Sequence, residues 1–74
     1  MNAKSRRQIA KLQEQLEVIK GQIEDLQREE EEKLENVPEA LQDGEAAQGM
    51  EQAASTLGEA ADYLDSAISS LGEV

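Results

Sequence analysis

Between Ala46 and Glu73 the chain reads AAQGMEQ, AASTLGE, AADYLDS, AISSLGE, four consecutive blocks of seven residues. Each starts with Ala-Ala or Ala-Ile and places Met50, Leu57, Leu64 or Leu71 fifth. An apolar period of seven residues is close to two helical turns, so it dictates a helix with one persistent face. That face is wide but shallow. Ala46, Ala53, Ala60 and Ala67 form one column, and Ala47, Ala54, Ala61 and Ile68 lie alongside it. Small side chains let a neighbouring backbone come close, so this helix is shaped to receive a ridge of larger residues.

The first half of the chain supplies such a ridge. Ile9, Leu12, Leu16, Ile19, Ile23 and Leu26 are spaced 3, 4, 3, 4, 3, the narrow seam of a coiled-coil helix. Apart from Gly21, which falls opposite the seam, nothing from Lys4 to Lys33 resists helix formation. Glu24 with Arg28 and Glu29 with Lys33 are i,i+4 pairs in the favourable orientation. The spacing predicts a helix from about residue 4 to about residue 35. Past Leu26 the seam meets Glu30 and Lys33, and Leu34 and Val37 resume the apolar side shifted by one residue.

The two helices are separated by Asn36-Val37-Pro38-Glu39-Ala40-Leu41-Gln42-Asp43-Gly44. Proline disfavours helical geometry at the residue before it, and Asp-Gly is turn chemistry, so the chain reverses over residues 36–43. Asn36 is expected to cap a short turn holding Pro38 and Glu39, and Leu41 to plug the end of the core. The second helix is predicted from about residue 44 to about residue 71. The expected fold is all-α: one domain over residues 1–74, an antiparallel two-helix hairpin. Its basic start is expected to lie beside Asp62, Asp65 and Glu73. Two helices cannot cover both apolar faces, so a dimeric four-helix bundle or docking on a partner is the expected remedy. The flanking glutamines Gln8, Gln13, Gln15, Gln22 and Gln27 discriminate little between registers, which argues against a long parallel dimer.

Charge is distributed unevenly. The first 33 residues set seven bases against eight acids, whereas residues 34–74 hold nine acids and no base. The net charge of −10 repels nucleic acid and membrane surfaces and favours a protein partner with a basic surface. Arg6, Arg7 and Lys11 are too few, beside a single aromatic residue, to make a nucleic-acid-binding arm. No apolar run reaches the length of a membrane span and no secretory signal is present, so the expected location is the cytoplasm.

The residues exclude most catalytic chemistry. With no His and no Cys, the usual general bases, thiol nucleophiles and zinc ligands are missing. Ser55, Ser66, Ser69 and Ser70 have no lysine in their half of the chain, and a two-helix hairpin offers no dry cleft to shift a carboxylate pKa. The run Glu29–Glu32 lacks calcium-loop spacing, and the scattered glycines make no phosphate cradle. No enzyme, cofactor or metal site is expected. Gly58 and Gly72 share one side of the second helix, either from low local crowding or as a smooth strip for another protein.

What remains is an acidic surface. Glu29, Glu30, Glu31, Glu32, Glu35, Glu39 and Asp43 surround the bend, and Glu51, Glu59, Asp62 and Asp65 face away from the Ala/Leu stripe. Carboxylates three or four residues apart on a helix stand about 5–6 Å from one another, a spacing that a groove built for nucleic-acid phosphates accepts. Tyr63, between Asp62 and Asp65, is either packing at a bundle edge or the amphipathic anchor of that patch. These twelve residues are the expected partner-binding set.

The order of features resembles a group of small acidic proteins of phages and mobile elements of Firmicutes and related gut bacteria. The likeness rests on the basic start Lys4-Ser5-Arg6-Arg7 and a Glu-rich helix. It continues through the bend Asn36-Val37-Pro38-Glu39-Ala40-Leu41-Gln42 to the Ala/Leu blocks from residue 46 onward. The blocks here are richer in Ala, Gly and Ser and poorer in acids than that pattern. The resemblance implies a helical hairpin of phage or mobile-element origin. Small acidic phage proteins include anti-CRISPR and other anti-defence inhibitors, several of which resemble nucleic-acid mimics. By that analogy the chain is expected to be a non-enzymatic inhibitor occupying a basic site on a host defence enzyme. The alternative is a self-associating structural or assembly module.

Overall fold

A computed structural model describes residues 1–74. Helix α1 spans Ala3–Glu35, a 3-10 turn spans Glu39–Leu41, and helix α2 spans Glu45–Gly72. The two helices fold back on each other as a hairpin with no strand, 60 Å long and 14 by 12 Å across.

Local chemistry explains where each helix starts and stops. Asn2 caps α1, its Oδ1 accepting the Ser5 N–H at 2.8 Å, which satisfies one of the orphan donors of the first turn. At the other end Asn36 is the C-cap, and its N–H donates to the Glu32 carbonyl at 3.2 Å. Asn36 therefore closes the first helix and does not cap the short turn, whose N-terminal flank is Pro38 with extended ψ. Gly44 precedes α2 with no side-chain cap, and its carbonyl accepts the Gln48 N–H at 3.0 Å.

Packing is shallow, as the alanine blocks require. Only Ala47, Ala54 and Ala61 are buried, seven residues apart on α2. Met50, Leu57, Leu64, Ile68 and Leu71 are half-buried beside them. Ala53 and Ala60 are half-buried too, while Ala46 and Ala67 at the ends of their column are exposed. No side chain larger than alanine is fully enclosed.

The first helix is turned by about one position from the seam read in its sequence. Ile9, Leu16 and Ile23 face α2 as expected, but Leu12, Ile19 and Leu26 remain 49%, 44% and 50% exposed. Their place in the interface is taken by Gln13, Lys20, Gln27 and Leu34, each half-buried. The one-residue shift visible at Leu34 thus holds along the whole of α1.

Glycines on α2 explain the rotation. A Cβ on Gly58 would stand 2.9 Å from Gln27 Nε2, and one on Gly72 would stand 3.3 Å from Gln13 Nε2. Gln13 Nε2 also donates to the Ile68 carbonyl at 3.1 Å. Midway between these contacts, Lys20 Nζ meets Asp65 Oδ1 at 2.9 Å. Positions 13, 20 and 27 of α1 are therefore matched, in reverse order, by positions 72, 65 and 58 of α2. The strip of small residues on α2 is occupied by the chain's own glutamines, which is why Gly58 and Gly72 lie fourteen residues apart.

Three further expectations are corrected at this level. Leu41 does not plug the core; it is 61% exposed, and Val37 is the half-buried residue of the bend. The ion pairs within α1 are i,i+3 and not i,i+4, joining Asp25 to Arg28 at 3.2 Å and Glu30 to Lys33 at 2.9 Å. The basic start makes no ion pair with Asp62, Asp65 or Glu73, because the register carries Asp65 to the level of Lys20.

Candidate functional site

The exposed surface of an antiparallel pair divides at the seam. On α2, Gly58, Asp65 and Gly72 each follow a leucine of the interface, and on α1, Glu17, Glu24 and Glu31 each follow an inward residue of the Leu16 column. In an antiparallel coiled coil these positions share one side of the seam. With Glu51 they make that side acidic. On the opposite side lie Leu12, Ile19 and Leu26 of α1 with Ala53 and Ala60 of α2. The hairpin thus carries one acidic face and one apolar face.

Lys20 stands in the acidic face. Its hydrogen bond to Asp65 raises the ammonium above the ordinary lysine value of 10.5, with smaller contributions from Glu24 and Glu17. Lys33 is raised likewise by its hydrogen bond to Glu30, with Glu29 adding to the effect. Each of these lysines neutralises one acid of the patch. Glu17 and Glu24, absent from the expected set, belong to this face. Their signal in the sequence was the seven-residue spacing of Glu17, Glu24 and Glu31.

The expected partner-binding residues fall into two groups. At the bend, Glu35, Asp43 and Glu51 line one shallow groove together with Leu34 and Gln42. Glu29, Glu31, Glu32 and Glu39 are exposed around the same end, whereas Glu30 is half-buried and held by Lys33. Further along α2, Glu59 and Asp62 are exposed, Tyr63 is 75% exposed, and Asp65 is tied to Lys20. Eight residues separate Glu51 from Glu59, which at about 1.5 Å per residue is roughly 12 Å. The expected residues thus gather at the bend and around Tyr63, and nine of their eleven acids have no ion-pair partner.

The chain matches no protein-family model, no curated protein and no solved structure.

Three carboxylates in an open groove stay hydrated, and no group of acids converges closely enough to hold a metal ion. At the opposite end Lys4, Arg7 and Lys11 line a shallow groove with Gln8 and Glu14, and none of the three cations has an ion-pair partner. No helix is long and apolar enough to cross a membrane.

Proposed function

We propose that this hairpin is a non-enzymatic, protein-binding inhibitor. It presents its acidic surface to a basic, nucleic-acid-binding site on a host defence enzyme. In this reading it is encoded by a phage or mobile element and acts in the cytoplasm of the bacterial host. The observation that supports the reading is the state of the carboxylates. Of seventeen acids, only Asp25, Glu30 and Asp65 are in ion pairs, which leaves fourteen unpaired along a 60 Å rod. Unpaired like charges destabilise the chain that carries them, and a complementary cationic groove offsets that cost. A rod built from two continuous helices holds the charges at fixed spacing before binding, so little ordering entropy is lost on association.

The test is affinity capture from a bacterial lysate at low and at high salt, with the retained proteins identified by mass. The expected result is a nucleic-acid-processing protein retained at low salt and released as ionic strength rises, since the attraction is between exposed charges. Reversing Glu59 and Asp62 to lysine removes binding while leaving helicity intact, because neither residue contacts α1 through an ion pair. Capture of no such protein at low salt sinks the proposal.

A second reading, a self-associating assembly module with no inhibitory role, draws its support from the exposure of Leu12, Ile19 and Leu26. A defined oligomer that captures nothing from lysate favours it over the first.

A further inference from the structure

We infer that the apolar face of the hairpin is covered by a second copy of the same chain, lying antiparallel, with the two-fold axis passing beside Val18 and Ile19.

The first support is area. Folded monomers of 8.1 kDa expose about 4,500 Å², by the scaling of surface with mass. This hairpin exposes 5643 Å², an excess of roughly 1,100 Å², comparable to the ~800 Å² that each partner buries in a standard interface. The exposed aliphatic residues are also ordered. Leu12, Ile19 and Leu26 recur every seven residues on one side of the seam, with Val18 62% exposed beside them. Between the three lie Gln15 and Gln22, so the stripe Leu12, Gln15, Ile19, Gln22, Leu26 repeats the 3-4 spacing of a second helix-packing seam.

Charge then selects the partner and its direction. The column that borders this stripe reads Lys4, Lys11, Val18, Asp25, Glu32. It is positive at one end, apolar in the middle and negative at the other. Laid against its own reverse, the column is complementary throughout: Lys4 meets Glu32, Lys11 meets Asp25, and Val18 meets Val18. The same alignment, within a residue, sets Leu12 against Leu26 and Ile19 against itself. A parallel pairing would stack cation on cation at one end and acid on acid at the bend. The pairing is isologous and closes on itself, as two-fold dimers do. Lys4 and Lys11 have no ion-pair partner within the hairpin, and Asp25 is held only by the exposed Arg28, so these charges are available. The resulting four-helix bundle turns both acidic faces outward, so it stands whether or not those faces bind a basic protein.

The experiment uses the purified full chain, which contains no cysteine, so single thiols report unambiguously. Sedimentation gives twice the single-chain mass at micromolar concentrations, and Ile19→Glu returns it to 8.1 kDa. Under mild oxidation Ile19→Cys cross-links to itself. Leu12→Cys and Leu26→Cys cross-link when mixed, and neither does so alone. Lys11→Glu sets an acid against Asp25 at two symmetric places and raises the dimer Kd roughly tenfold; adding Asp25→Lys restores it. A single-chain mass at 100 µM or so, self-cross-linking of Leu12→Cys, or a Kd indifferent to Lys11→Glu overturns the inference. None of these readouts depends on capture from a lysate, so failure here is distinct from failure of the inhibitor reading.

Discussion

The side-chain amide of Gln27 lies over Gly58, so close that a Cβ on the glycine would stand 2.9 Å from Nε2. Gly21 and Gly49 also lie within helices but have open space where a Cβ would go. Glycine in a helix interior costs about 0.5–1 kcal/mol relative to alanine. Gly21→Ala and Gly49→Ala are therefore expected to stabilise by about that amount, visible as a rise in Tm of several degrees. Gly58→Ala gains less, because the Gln27 amide has to move. Combining Gly58→Ala with Gln27→Ala recovers the missing part, and thermal melts followed by circular dichroism measure the difference. Equal gains at all three glycines would show that the amide does not need the notch.

Lys20 and Asp65 make stability sensitive to alkaline pH. The lysine pKa is raised in the folded chain, so its contribution is fully present below the ordinary value of 10.5. It is lost as pH rises through the elevated folded value. Denaturation midpoints taken at neutral pH and in the alkaline range above 10.5 are expected to fall for the natural chain. Lys20→Met flattens that fall, and it keeps the aliphatic stem that fills the seam between Leu16 and Ile23. A fall of unchanged size in Lys20→Met would remove the pair from the account.

Alanines of the repeating blocks are not equivalent. Ala61 is 4% exposed, whereas Ala46 lies at the solvent-facing end of its column. Enlarging Ala61 to leucine forces the helices apart and costs about 1–3 kcal/mol. Ala46→Leu stays within about 0.5 kcal/mol, as exposed substitutions do. Urea midpoints of the two variants measure the contrast.

At the bend, Leu41→Ala is expected to change stability by no more than about 0.5 kcal/mol, because the side chain is already 61% exposed. Leu64→Ala, half-buried against α1, costs about 1–2 kcal/mol, less than a fully enclosed leucine. Near-equal losses would mean that Leu41 closes the core after all.

The sequence alone determined the two helices, their bounds to within a residue or so, the reversal around Pro38 and the antiparallel pairing. Each depends on local chemistry or on a period that any partner must respect. The acidic character of residues 34–74 was equally legible, since charge needs no geometry to be counted. The rotation of α1 about its own axis was not. Ile9, Leu16 and Ile23 face inward on either reading, but the neighbouring column can be Leu12, Ile19 and Leu26 or Gln13, Lys20 and Gln27. A pattern within α1 favours the aliphatic column. The choice fell to the other because Gly58, Asp65 and Gly72 on α2 offer two notches and a counter-charge at matching levels. That is a property of the pair, and only the packed hairpin contains it. The same rotation left an aliphatic stripe outside the hairpin's own interface and gathered Glu17, Glu24 and Asp65 around Lys20. The division of the surface into an apolar and an acidic face was therefore decided by tertiary structure.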